Sequence, residues 1–314
     1  MMLSLASAFV APYVIALLSF PLLARRGGTA WYVMAGLGVP IGLAPCLIPA
    51  NCPLPRFVAA ISAVVVAVKL VDVWLDARFR TAPNWRQFVA FLGNPFVHVR
   101  RSLAREPRPS RREDGRRLVQ GLLGCAVGLA LLQGLFAIDW ERWLWAVEHV
   151  SKVLAFMAAI VSGLEAAVAL WRLLGGAARD YMDNPIAART PAEFWRRYNR
   201  NMQQFFWLNV FRPFGGVRAP VRTTLLVFAL SAVMHEYVFA VAMGRVQGYQ
   251  TAFFLLQGLA VALTGGFKPR GWRAIPAVVG TLAFNLATAV LFFASIHGIA
   301  PFYARGLPPW LPGR

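Results

Sequence analysis

Charge is scarce in this 314-residue chain, and what there is leans one way: 14% of residues are charged, 13 acidic against 32 basic. Lysine is scarcer still, because 29 of those basic residues are arginine. Cysteine is limited to Cys46, Cys52 and Cys125, with no CxxC and no metal-ligand spacing, so no metal centre is expected. Cys46 and Cys52 flank the end of an apolar block and could pair if that end faces an oxidising space, but two ordinary thiols are the plainer expectation. Internal repeats and low-complexity tracts are also missing, and residues 1–314 read as one domain.

Apolar residues are plentiful, at 58% of the chain with mean hydropathy +0.56, and they come in blocks. A span-length window gives eight candidates, 3–23, 30–50, 57–76, 118–138, 152–171, 223–243, 250–267 and 275–297, each near the ~20 residues that cross a hydrocarbon core. The fold class is therefore all-α, a polytopic helical membrane protein with about eight transmembrane helices plus amphipathic helices on the cytosolic side. The block Leu3 to Leu23 has no basic residue before it and Arg25 and Arg26 after it, the reverse of a signal peptide, which makes it a retained first span.

A net charge of +19 would suggest nucleic acid in a soluble protein. Here the basic residues fall between apolar blocks, where topology puts them, and no nucleic-acid partner is expected. With the N-terminus outside, the inside loops collect 25 of the 32 basic residues, among them eleven arginines between 78 and 117 and nine from 172 to 222. That bias gives an N-out, C-out orientation, and the arginine-rich, lysine-poor composition leans toward a bacterial inner membrane.

Two inside segments exceed simple turns. NWRQFVAFLG, from Asn84, repeats Trp85, Phe88, Val89 and Leu92 at helical spacing and predicts an interfacial helix, followed by the solvated basic run REPRPSRREDGRR. In the second, TPAE at 190–193 has the form of a capping box, with Thr190 as N-cap and Pro191 at the first helical position. The spacing predicts one helix over 190–209 with Phe194, Trp195, Tyr198, Met202, Phe205, Phe206 and Asn209 on an apolar arc. Arg196, Arg197, Arg200, Gln203 and Gln204 fall opposite, and Asn199 sits at the apolar edge. Such a helix lies along the membrane surface.

His235 lies within TTLLVFALSAVMHEYVFAVAM (223–243), whose other ionisable side chains are Glu236 and Tyr237. An ionisable group in hydrocarbon is costly and marks a functional-site candidate. A neutral imidazole can take a proton from a hydroxyl and return it, and Ser231 and Ala232 one turn back leave space on the same face. The plainer alternative is a histidine that only locks packing. Lys69 and Asp72, three residues apart, predict a local ion pair. Glu165 and Asn285 could line a polar cavity or meet another helix, while His98, His149 and His297 fall at loops or span ends.

PAEFWRRYNRNMQQFFWLNVFRPFGG (191–216), followed by SAVMHEYVFAV (231–241), resembles the paired signature of the membrane-bound O-acyltransferase superfamily, a cytosolic FW-x-x-(W/Y)-(N/H) helix and a membrane histidine a few dozen residues later. The HEY form with Asn199 ending the first motif is most similar to the wax synthase and diacylglycerol or sterol acyltransferase branches; RPFGG resembles instead the PLGG of bacterial alginate O-acetyltransferase relatives. The resemblance implies acyl transfer from acyl-CoA, a co-substrate and not a bound cofactor, to a hydroxyl. It makes His235 the general base and Asn199 a second polar catalytic or positioning residue. Residues 190–243 then carry the site, with Arg196, Arg197 and Arg200 facing either the CoA phosphates or anionic membrane lipids, and Ser231, Glu236 and Tyr237 in supporting, substrate-lining positions. The chain is shorter than the larger sterol and diacylglycerol enzymes, and Tyr198 stands where many relatives have Trp. The acceptor expected is a lipid alcohol, giving a wax or neutral-lipid ester. A polysaccharide or other exported hydroxyl compound is the alternative, and a proton-coupled transporter using His235, Glu165 and Asp72 is the competitor from another class.

Overall fold

The computed structural model describes residues 2–24, 28–79, 82–102 and 109–311. Arg25, Arg26, Arg80, Arg105, Arg108 and Arg314, counted above toward orientation, lie outside them. Among the described residues there are eleven α-helices and no strand, because every apolar block has helical length and no alternating pattern. In chain order they are α1 (Met2–Leu18), α2 (Gly28–Leu43), α3 (Pro53–Phe79), α4 (Trp85–Gly93), α5 (Arg111–Phe136), α6 (Trp145–Leu173), α7 (Pro191–Arg197), α8 (Arg200–Phe206), α9 (Pro220–Met243), α10 (Tyr249–Thr264) and α11 (Ala274–Ile299).

Six of these, α1 with its 3-10 extension, α3, α5, α6, α9 and α11, are long and apolar enough to cross a membrane. The eight expected spans thus become six full-length helices and two short apolar ones. α2 and α10 have 16 residues each. At 1.5 Å per residue such a helix covers only about 24 Å of a hydrocarbon core of ~30 Å. α2 carries Pro40 and runs into a 3-10 turn at Ala44–Leu47, while α10 starts late, behind Gly248 at φ +78°.

α5 and α6 form a tight hairpin seamed by small residues. A Cβ on Gly128 would lie 2.5 Å from the Ala159 backbone nitrogen, and one on Gly121 2.7 Å from the Ser162 carbonyl oxygen. Small residues let membrane helices approach until backbone meets backbone. Gly128→Val is therefore expected to push the hairpin apart at a cost of about 1–3 kcal/mol. Thermal unfolding in detergent checks it, and an unchanged midpoint would contradict the seam.

The basic end of the bundle is organised by α3. Lys69 does not pair with Asp72. Its ammonium donates to the α4 carbonyls of Phe91 (3.0 Å) and Leu92 (3.1 Å) and to that of Asn94, capping the negative end of α4. Asp72, 0% exposed, accepts from the Arg100 backbone amide (2.8 Å), the Arg101 guanidinium (3.1 Å) and the Asn209 carboxamide (2.9 Å). The i, i+3 pair fails because each group finds a better partner outside its own helix. His98, in the same loop, is buried rather than interfacial, and burial next to Lys69 pushes its imidazole down to about 4.

At the opposite end of α6, Glu148 and Lys152 form a buried pair at 2.6 Å. Lys152 also donates to the Phe302 carbonyl (2.8 Å), and Glu148 accepts from the Ala304 amide (2.7 Å), so the pair clasps the segment after α11. His149 and His297 belong to this clasp. His149 bonds the Tyr303 hydroxyl at 2.7 Å, and His297 Nδ1 accepts the amides of Phe302 (2.9 Å) and Tyr303 (3.1 Å). His149 is buried beside the charged pair rather than interfacial, and His297 is half-buried.

Candidate functional site at His235

The 190–209 segment departs from a single surface helix. Its start follows the sequence: the Thr190 side chain accepts the Glu193 amide at 3.1 Å and Pro191 opens α7. Glu193 turns outward of the box, however, to the Arg189 amide (2.9 Å) and the Arg197 guanidinium (2.7 Å). Arg189 above all, with Arg197, holds the Glu193 carboxyl down to about 2. The helix then stops at Tyr198, and Asn199 takes a left-handed conformation at φ +43°, ψ +61°, before α8 restarts and passes into a π turn at Trp207–Phe211.

Asparagine is one of the few residues that tolerate this conformation, and here its side chain makes use of it. The Asn199 carbonyl oxygen accepts the Met202 amide (3.2 Å), capping α8, and its carboxamide hydrogen-bonds the Tyr181 hydroxyl. Burial pushes that phenol up to about 12. The backbone on both sides of the break is paired with the same strip of chain, Arg200 N–H to the Tyr181 carbonyl (2.9 Å) and Asp183 N–H to the Arg197 carbonyl (2.9 Å). Asn199→Gly is expected to keep the fold, since glycine adopts the same angles, whereas Asn199→Ala adds strain to the lost cap and costs about 1–2 kcal/mol. Thermal midpoints compare the two; equal midpoints would show that the backbone angle carries no cost.

His235, in α9, donates from Nδ1 to the Ser231 carbonyl at 2.8 Å, since a carbonyl can only accept. In the neutral ring that fixes the proton on Nδ1 and leaves Nε2 as a lone-pair acceptor, with no hydrogen-bond partner among the described residues. The ring lies 4.1 Å from that of Phe254 and 6.4 Å from that of Phe292, centroid to centroid. Ser231 serves the site through its carbonyl, for its hydroxyl donates to Val227 (3.0 Å).

The neighbours of His235 in sequence are engaged elsewhere. Glu236 accepts four hydrogen bonds from the turn that opens α10: the amides of Gln247 (2.9 Å), Gly248 (2.7 Å) and Thr251 (3.0 Å) and the Thr251 hydroxyl (3.0 Å). Tyr237 donates to the Gly42 carbonyl of α2 at 2.6 Å. Both join helices. Arg197 is spent on Glu193 and on the Asn184 carbonyl (3.1 Å), while Arg196 is exposed and, among the described residues, bonds only its own helix, at Ala192 (3.3 Å).

No hydrogen bond joins Asn199 to His235 among the described residues. Trp195 of α7 packs against Phe254 of α10, their rings 5.8 Å apart, and Phe254 is the ring beside His235. Trp195 also reaches into the bundle through its indole N–H, which donates to Gln257 (2.9 Å), and Gln257 donates to Thr288 (2.8 Å) and Asn285 (3.4 Å). Sequence reasoning passed over Gln257, although it is a carboxamide in an apolar helix and 1% exposed.

Six helices long and apolar enough to cross a membrane, one of them carrying this imidazole, define a polytopic membrane protein. The chain matches the membrane-bound O-acyltransferase family over residues 139–297, just over half its length, and it belongs to that family. It is a membrane O-acyltransferase, acting on an acyl donor and a hydroxyl acceptor in the membrane. The matched region contains both Asn199 and His235. A comparison with curated proteins returns no match.

Proposed function

We propose that the donor is acyl-CoA, that the acceptor is a lipid alcohol, and that His235 is the general base. The observation that carries this reading is the Nδ1–H bond to the Ser231 carbonyl, which leaves Nε2 open to a hydroxyl. As the acceptor oxygen attacks the thioester carbon, Nε2 takes its proton; the C–S bond then breaks and the imidazolium returns the proton to the leaving thiolate. An ester and free CoA result. An alcohol is too weakly acidic to attack without such a base.

The walls around the imidazole support a lipid acceptor. Phe254 and Phe292 are the rings beside it, and they offer none of the convergent polar groups that a sugar's hydroxyls would need. Arg196, with its terminal amino groups open among the described residues, and Arg200 are the candidates for the CoA phosphates at the basic end. Asn199 acts on this reading by setting the angle between α7 and α8 and so the depth of Trp195.

The test is purified protein in detergent with labelled acyl-CoA and a panel of long-chain alcohols, diacylglycerol and sugars. Ester is expected from the lipid alcohols. Product from sugars alone would overturn the acceptor, and no product from acyl-CoA with any member of the panel would overturn the donor.

A further inference from the structure

Asn285 holds one group that no described residue satisfies. In the chain from Trp195 through Gln257, the Asn285 carbonyl oxygen accepts from Gln257 at 3.4 Å, and Thr288 passes its own proton to the Phe284 carbonyl at 2.8 Å. Gln257 is occupied at both ends, its oxygen by Trp195 and its amide by Thr288 and Asn285. The Asn285 amide nitrogen, in contrast, is buried and finds no acceptor. A buried donor left unmet is destabilising, and membranes offer no water to meet it.

Its position is informative. Asn285, Thr288 and Phe292 recur at i, i+3 and i+7 and share one face of α11, and the Phe292 ring is a neighbour of His235. Seven residues at 1.5 Å each place Asn285 roughly 10 Å from Phe292 along α11, toward the end where α7 and the arginines lie. It therefore stands between the basic end and the base.

We propose that the Asn285 amide donates to a carbonyl in the thiol arm of acyl-CoA. This rests on acyl-CoA being the donor. The group required is an acceptor, which an amide carbonyl is and which His235 does not need, since its open Nε2 calls for a hydroxyl proton. The thiol arm carries amides between phosphates that stay at the basic end and a thioester that must reach the imidazole. A donor offset by about two helical turns on the basic side of His235 lies on that path.

The experiment uses the full-length protein carrying Asn285→Leu, which removes the donor at similar volume, and Asn285→Asp, which keeps the shape but offers oxygen in its place. Acyl-CoA binding is measured in the His235→Ala background, where no turnover is needed, and is expected to weaken about tenfold, the effect of one lost hydrogen bond to a ligand. In the otherwise wild-type background, kcat/KM for acyl-CoA should fall about tenfold, mainly through KM, and the defect should vanish with an acyl thioester of a simple alkyl thiol that has no amide. Equal loss with both thioesters would overturn the proposal, leaving Asn285 a packing residue, and so would unchanged acyl-CoA binding in both variants. If the wild type makes no ester from acyl-CoA, the assigned donor fails, whereas the binding measurement still decides whether Asn285 contacts the arm.

Discussion

His235→Ala is expected to lower ester formation by about 10²–10⁴-fold, the range contributed by a positioned general base, with little change in the protein's insertion or thermal midpoint. On the proposed reading the size follows from the engagement elsewhere of the neighbouring polar side chains among the described residues. Glu236 is committed to the 247–251 turn, Tyr237 to Gly42 and Ser231 to Val227. The stability cost is small because the imidazole makes one hydrogen bond, within its own helix, and its ring contacts are replaced by lipid or by movement of Phe254. Initial rates with labelled acyl-CoA check the first half and a thermal scan the second. Turnover within tenfold of wild type in a folded variant would remove His235 from the reaction.

Lys152→Met is expected to be the most destabilising single change, at about 3–5 kcal/mol, because it leaves the Glu148 carboxylate buried and unpaired. Glu148 is 0% and Lys152 1% exposed, so solvent cannot take over from the lost partner. The double variant Glu148→Leu, Lys152→Met should recover part of that loss, since removing both charges also removes both desolvation costs. Recovery stays incomplete because the Ala304 amide and the Phe302 carbonyl lose their partners together. Thermal unfolding of the three variants gives the coupling directly. A Lys152→Met protein as stable as wild type would show that the carboxylate there is protonated rather than paired.

The apolar blocks made the helices legible from sequence, since twenty apolar residues in a row admit few other outcomes. The capping pattern at Thr190 was legible for the same reason, as the signal is local. What escaped was any choice among partners. Lys69 and Asp72 lie three apart, and spacing alone pairs them; the carbonyls of Phe91 and Leu92 and the guanidinium of Arg101 compete only once α4 and the loop after it fold back onto α3. Continuous apolar and basic arcs across 190–209 likewise concealed the break, because a projection at 100° per residue cannot register one left-handed asparagine. Asparagine is also a favoured helix N-cap, and that local preference is what the restart at α8 follows.

The four hydrogen bonds at Glu236 bear on how the enzyme can move. They are made by the residue next to His235, so a turn of α9 about its axis large enough to re-aim the imidazole would tear the carboxylate from the start of α10. On the proposed reading the base is consequently a stationary tool, and turnover has to be carried by traffic past it: donor and acceptor file in, the products file out, and α9 keeps its azimuth throughout.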